Sequence, residues 1–358
     1  KIDDIRRYDI DIFTVGSDWI GKFDYLKEYC EVCYLERTKG ISSSELRTEE
    51  RKIRIGLIGD LASEINKFVN ESKYVNGAEV VGIYNPLGTE KLDKIQEFED
   101  FDVLLSNVDA LYIAMNSFSS YRFIKSALKC KKHVLVESPI TMEYCKIEEL
   151  FQIAKDNKCI LMESIKTAYS LAFSRLILLV KSGMIGDVIS IDSTCTSLRK
   201  NKKDKRGSLQ SWGPYGLLSI FSFLGTNYIK KEIYTKLDCE GHDIFTKINF
   251  YFDGAVSSMK VADGVKSEGE LIISGSKGYV YVPAPWWKTD YFEIRQEHIE
   301  DNKRYFYQLE GEGIRYMIVC FLKAIKTGRG DFYISKDISK EVSKIMDDFC
   351  GKKNVVYL

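Results

Sequence analysis

Histidine and proline are scarce in this chain, with three and five in 358 residues. The histidines, His133, His242 and His298, lie far apart in sequence, so no clustered imidazoles announce a metal centre, and none is expected. No apolar run approaches the ~18 residues that a membrane span needs. Net charge is absent as well, because 52 basic residues balance 52 acidic ones. No bulk field therefore draws in nucleic acid or an anionic membrane, and neither is expected as a partner. The local basic run at 199–206 (RKNKKDKR) reads as a solvated loop. The nine cysteines are odd in number and scattered, which points to reduced thiols in a cytoplasm. Cys30 and Cys33 form a CxxC with no second ligand pair, and packing is the plainer reading. The first residues, KIDDIRRYD, show neither a signal peptide nor an initiator Met, so the chain reads as a piece of something longer.

What is present is an ordinary globular composition, 45% hydrophobic and 29% charged, arranged in three zones. Residues 1–48 read as a strand at 10–15, a helix at 23–29, a strand at 31–35 and a small-residue loop, with a charged connection at 45–52. An α/β series follows. Strands are predicted at 53–58, 79–84, 109–114, 133–137 and 158–162, with helices at 62–73, 88–97, 118–130 and 143–156. Strands that alternate with helices and run as near-continuous apolar stretches imply a parallel sheet with both faces covered. From about residue 166 the pattern changes. Helices are predicted at 168–182 and 213–224 and strands at 188–195, 232–238, 244–252, 255–261, 269–274, 278–282 and 291–296; helices at 316–326 and 336–349 close the chain. That is an α+β region with a large, mostly antiparallel open sheet. The expected domains are 1–48, 49–165 and 166–358.

The strand 53–59 (IRIGLIG) ends in glycine, as a dinucleotide-binding unit begins. Gly59 fills the first position of the G-x-G-x-x-G pattern, but Leu61 and Glu64 stand at the second and third. A side chain at Leu61 is expected to obstruct close backbone approach. Asp60 and Glu64 stabilise the start of the helix but are expected to compete with a phosphate there. Asn85 ends the second strand where an acidic residue would meet ribose hydroxyls, so the choice between NAD and NADP stays open.

The segments IRIGLIG, AEVVGIYN, VDALYIAMNSFSSYRFIKSALKCKKHVLVESPI, CILMES, LVKSGMIGDV and ISGSKGYVYVPAPWW, taken together, resemble the Gfo/Idh/MocA oxidoreductase family over residues 52–358. That resemblance implies a Rossmann domain followed by an open sheet that closes the active site and often forms an oligomer interface. It implies NAD or NADP as cofactor, bound near Gly59, Asp60, Leu61, Asn85, Asn116 and Glu137. It also implies hydride transfer at a hydroxyl-bearing carbon of a sugar or polyol. The family's Glu-Lys-Pro lysine is replaced here by Ser138, and its Asp-x-x-x-His motif falls on Ser211 to Tyr215. Ser138 is a poorer acid or base than a tuned lysine. Ser138, Lys166 and Tyr215 are the candidate catalytic residues, the last two as replacements, with an exposed helix lysine and a packing tyrosine as the plainer alternatives for them. Trp286 and Trp287 either wall a sugar site or pack structurally.

The segment VGSDWIGKFDYLKEYCEVCYLERTKGISSSEL closely resembles the C-terminal part of glycerol-3-phosphate cytidylyltransferases. By that resemblance Arg37, Thr38 and Ser42 would contact the phosphates of CTP. The family's His-x-Gly-His motif is absent, so residues 1–48 alone are not expected to transfer a nucleotidyl group. The two resemblances imply a bifunctional enzyme linked to precursors of cell-surface polymers, cytoplasmic and homo-oligomeric through its C-terminal sheet. A catalytically degenerate scaffold or ligand-binding protein is the alternative.

Overall fold

The computed structural model describes residues 1–35, 51–86, 95–115, 117–198, 206–330 and 333–358. The chain forms two compact units, Lys1–Arg51 and Lys52–Leu358. In the first, helix α1 (Ile2–Tyr8) precedes strands β1 (Ile12–Gly16) and β2 (Glu31–Leu35), which pair in parallel from Ile12↔Glu31 to Gly16↔Leu35. α1 was not expected, and the helix expected at 23–29 is only the short turn Asp24–Leu26. Tyr34 explains the difference. Its hydroxyl donates to Asp24 at 2.8 Å and accepts from the Phe23 amide at 3.2 Å, which ties the segment to β2. Leu26 is fully buried beneath that tie. All nine cysteines are free thiols. Arg37, Thr38 and Ser42 lie outside the described residues.

The second unit opens with a five-stranded parallel sheet: β3 (Ile53–Gly59), β4 (Ala78–Tyr84), β5 (Ala110–Ala114), β6 (His133–Glu137) and β7 (Leu161–Ser164). Its spatial order is β4-β3-β5-β6-β7. Among the described residues four helices connect these strands: α2 (Ala62–Ser72), α3 (Phe101–Ser106), α4 (Ser117–Lys129) and α5 (Tyr144–Asp156). β5 is buried along its whole length, as an apolar strand between two helical layers should be. The chain leaves β3 for β4 on one side and returns to β5 on the other. That reversal is a topological switch point, and open α/β sheets place their ligand crevice beyond the carboxyl ends of the strands at such a point, here β3 and β5. The helix expected at 88–97 falls largely outside the described residues, and Glu97 instead forms a bridge with Ile83. α3 was missed. It is capped by Asp100, whose carboxylate accepts from the Val103 amide at 2.9 Å.

After a short turn (Lys166–Tyr169), helix α6 (Leu171–Lys181) leads into strand β8 (Val188–Ser197) and helix α7 (Ser208–Leu224). The remaining strands are β9 (Lys230–Leu237), β10 (Asp243–Phe252), β11 (Ala255–Asp263), β12 (Leu271–Gly275), β13 (Tyr279–Val282), β14 (Tyr291–Arg295) and β15 (Lys303–Phe306). Helices α8 (Ile314–Thr327) and α9 (Lys336–Cys350) and strand β16 (Val355–Tyr357) end the chain. Among the described residues the sheet is nine-stranded, in the order β15-β14-β13-β12-β8-β11-β10-β9-β16. Only β8–β11 and β9–β16 pair in parallel, so the sheet is mostly antiparallel. Its strands alternate, with Ile191, Ser193 and Cys195 of β8 buried and Asp192 exposed. α7 begins five residues earlier than expected. Its cap comes from a distant residue, because Asp243 accepts from the Leu209 amide at 2.8 Å. One continuous apolar core links Ile55 and Leu57 of β3 to Phe321 of α8 and Met346 of α9.

Candidate active site at the carboxyl ends of the parallel sheet

Gly59 sits where β3 turns into α2, with φ +143, and a Cβ there would lie 1.9 Å from the Ala114 carbonyl oxygen. Only glycine fits that approach. The Leu61 amide donates to the same carbonyl at 3.1 Å, which closes the two strand ends together. Leu61 occupies the N-cap of α2 without a side-chain cap, and its side chain packs against the core. Asp60 carries one buried carboxylate oxygen with no hydrogen-bond partner among the described residues. An uncapped helix N-terminus suits an anion, and an orphaned acceptor beside it suits a hydroxyl. Gly59 and the uncapped start of α2 fit the close backbone approach that a dinucleotide needs. Asn85 lies just past β4, and Asn116 lies outside the described residues.

Glu64, in the first turn of α2, does not face the crevice unpaired. Lys166 donates to it at 2.9 Å, and Lys67 lies 3.7 Å away. Burial opposes the Glu64 charge, but Lys166 and Lys67 outweigh it and hold the carboxyl below its usual range. Lys166 is not the exposed helix lysine of the plainer reading, because it is only 9% exposed. Burial works against its ammonium, yet Tyr215, Glu64 and Glu137 together keep its proton bound more tightly than on an ordinary lysine. Glu312, from the loop before α8, approaches Lys166 at 3.7 Å and Lys67 at 3.3 Å, and bonds Lys288. Nothing in the sequence around Glu312 signals this role.

Glu137 ends β6 and accepts from the Tyr112 hydroxyl and the Ser164 hydroxyl, each at 2.6 Å. Burial, reinforced by Glu64, pushes its pKa up despite Lys166. Ser138 is aimed elsewhere, and its hydroxyl donates to the buried Glu163 at 2.5 Å. Burial likewise raises Glu163. Tyr215 reaches the cluster from α7, close enough to feel Lys166, Glu137 and Glu64, and burial pushes its phenol above the ordinary value. Among the described residues no hydrogen bond engages its hydroxyl. The two indoles divide their roles. Trp286 is fully buried and donates to the Thr194 carbonyl at 3.0 Å, a structural position. Trp287 is half-buried, lies 5.2 Å from the Trp212 ring and accepts from Thr167, the neighbour of Lys166, at 2.6 Å. Trp212 in turn lies 6.2 Å from the Tyr215 ring, so an aromatic wall borders the titratable groups.

Comparisons with known proteins agree with both resemblances read from the sequence. Residues 53–165 match the model of the Gfo/Idh/MocA oxidoreductase family, NAD-binding Rossmann fold. The chain is 28% identical over 138 residues to a dTDP-3,4-didehydro-2,6-dideoxy-alpha-D-glucose 3-reductase from Actinomadura kijaniata, covering 36% of this chain and 42% of that protein. Its N-terminal segment is 59% identical over 49 residues to the glycerol-3-phosphate cytidylyltransferase of Bacillus spizizenii, covering 14% of this chain and 38% of the enzyme. The matches thus span less than half the length of either curated relative. A crystal structure of a 3-ketoreductase from Actinomadura kijaniata with NADP and TDP-benzene superposes with a TM-score of 0.74 at 18% identity, over 86% of this chain and all of that one. At that identity the likeness is one of fold.

Proposed function

We propose that Lys52–Leu358 is an NAD(P)-dependent oxidoreductase that interconverts a carbonyl and a hydroxyl on a sugar or polyol. The observation that carries this reading is Lys166, Tyr215 and Glu137 gathered at the carboxyl ends of a Rossmann sheet, next to the crevice at Gly59. A bound nicotinamide would supply or accept the hydride. This chain's residues would do the rest. The Tyr215 hydroxyl, without a hydrogen bond among the described residues, would give its proton to the developing alkoxide. The Lys166 ammonium would stabilise the phenolate left behind. Glu137, fixed by Tyr112 and Ser164, would hold Lys166 in position. Trp287 and Trp212 would stack against the sugar ring. Ser138, turned toward Glu163, would support β6 rather than touch substrate.

Titration with NADH and NADPH, followed by nicotinamide fluorescence and turnover of keto-sugars, tests this. Saturable binding with turnover supports the oxidoreductase. Sugar or nucleotide binding without turnover would instead identify a ligand-binding descendant of the fold. That second reading draws on one observation: Lys166 is already engaged by Glu64 and Glu312.

The likeness of the first unit to cytidylyltransferases supports a wider reading, in which the oxidoreductase prepares or modifies a polyol or sugar carried as a CDP derivative for a surface polymer. Self-association through the outer face of the nine-stranded sheet, where Tyr251, Val256 and Tyr279 are exposed, belongs to the same proposal and is read out by light scattering. Among the described residues no helix is long and apolar enough to cross a membrane.

A further inference from the structure

The loop that presents Glu312 is built for that purpose. Gly311, Glu312 and Gly313 occupy the left-handed region in succession, with φ of +59, +53 and +89. A Cβ on Gly313 would lie 2.6 Å from the Lys166 carbonyl oxygen, and one on Gly311 would lie 2.2 Å from the Glu71 side chain. A left-handed non-glycine residue costs about 1 kcal/mol or more, and such strain persists where surroundings hold it. Here it delivers one carboxylate to three ammonium groups on three separate elements: Lys67 of α2, Lys166 after β7 and Lys288 after β13. Glu64 is the second carboxylate in the cluster. Glu137 sets a further carboxyl against Lys166 on the buried side, and Arg206 adds its field to Glu64. Lys67 and Lys288 are more than a third exposed, so the positive side of the cluster faces solvent.

We infer that Lys67, Lys166 and Lys288 form a seat for a phosphate-ester anion, a diphosphate of a nucleotide, with Glu312 as an internal counter-ion that the ligand displaces. The inference rests on the proposed oxidoreductase only for the identity of the ligand. Lysine binds phosphate as a point charge, and three lysines converging from different elements suit the several oxygens of a diphosphate. A carboxylate already paired with all three lysines sets a threshold. Neutral or weakly charged molecules do not dislodge it, whereas a diphosphate does. Glu312 thereby acts as a specificity-determining residue.

Calorimetric titration of the whole chain with pyrophosphate, ADP-ribose, dTDP, UDP and CDP tests this. Glu312→Gln should tighten binding about tenfold, the size expected when a like charge at ion-pair distance leaves a partly exposed site. Lys288→Ala should weaken binding about fivefold, with only a small loss of thermal stability because Lys67 and Lys166 still face Glu312. Gain confined to ADP-ribose assigns the seat to the cofactor's diphosphate, and gain confined to nucleoside diphosphates assigns it to a nucleotide-activated substrate. Unchanged or weaker binding by a folded Glu312→Gln variant overturns the inference, as does an absence of anion binding by both proteins. If Glu312→Gln does not fold, Lys288→Ala decides alone, and unchanged affinity overturns it. Nucleoside diphosphate binding that responds to Glu312, together with indifference to NADH and NADPH, would sink the oxidoreductase and keep the seat. Nicotinamide turnover with anion binding insensitive to Glu312 would do the reverse.

Discussion

The Lys166 ammonium stands 2.9 Å from the Glu64 carboxylate across 102 positions of sequence. The pair joins the first turn of α2 to the segment that follows the last strand of the parallel sheet. Removing one partner strands the other's charge in a mostly buried place. Lys166→Ala should therefore lower stability by about 2–4 kcal/mol in urea unfolding and abolish keto-sugar turnover. The double variant Lys166→Met, Glu64→Leu should recover most of that stability and none of the turnover. Recovery of both would show that the pair is structural only.

Tyr215→Phe should leave the urea midpoint nearly unchanged, because no hydrogen bond engages its hydroxyl among the described residues. In steady-state kinetics it should lower kcat by about 10²–10⁴-fold, the usual contribution of a positioned acid, with KM little altered. A Phe variant with full kcat would remove Tyr215 from the chemistry.

Glu312 is held at about 2, against an ordinary 4.5, because three lysines outweigh the cost of its burial. Its folded pKa lies below its unfolded one. Its contribution is therefore complete above pH 4.5 and fades as pH falls toward 2. Allowing for its partial exposure, that amounts to about 2 kcal/mol. Unfolding free energies of Glu312→Gln and the parent should converge over that interval, and parallel curves would contradict the assignment.

Asp243 behaves oppositely. Burial raises it from 3.8 to about 6, although Thr246 and the Leu209 amide pull it down. Folding is unpenalised by this group below pH 4, and the penalty grows to about 3 kcal/mol by pH 6. Asp243→Asn keeps an acceptor for the Leu209 amide. Relative to the parent, it should gain stability as pH rises from 4 to 6 in chemical denaturation.

Gly207→Ala would place a Cβ 1.8 Å from a carboxylate oxygen of Asp243. Displacing that carboxylate uncaps α7, so a loss of about 2 kcal/mol or more is expected in thermal unfolding. An unaffected melting temperature would mean that the cap is dispensable.

The elements legible in the sequence were those whose cause is local. The apolar runs of β3, β5 and β6 and the periodic helices α2, α4 and α5 fell within a few residues of their expected places. What escaped had a distant cause. The start of α7 depends on Asp243, 34 positions beyond Leu209. The turn at Asp24–Leu26 depends on Tyr34. The edge strands β15 and β16 are only four and three residues long, too short to show a period. The site divides in the same way. Lys166, Tyr215, Gly59 and Glu137 stood out by motif or position. Glu64 was visible only as a rival to phosphate, because its partner is remote, and Glu312 lies in a loop that carries no recognisable motif.

The continuous core bears on how this protein can be taken apart. Ile65 and Phe68 of α2 share that core with Phe321 and Leu322 of α8. Arg315 of α8 bonds Glu71 of α2 at 3.0 Å and lies over the Tyr74 ring. The cofactor helix is thus clasped by a segment that is translated some 250 residues later. During synthesis α2 is covered only once α8 has emerged. Residues 53–165 would then be a unit of descent but not a unit of folding, and a cut at 165 would yield a fragment with an unsheathed apolar flank.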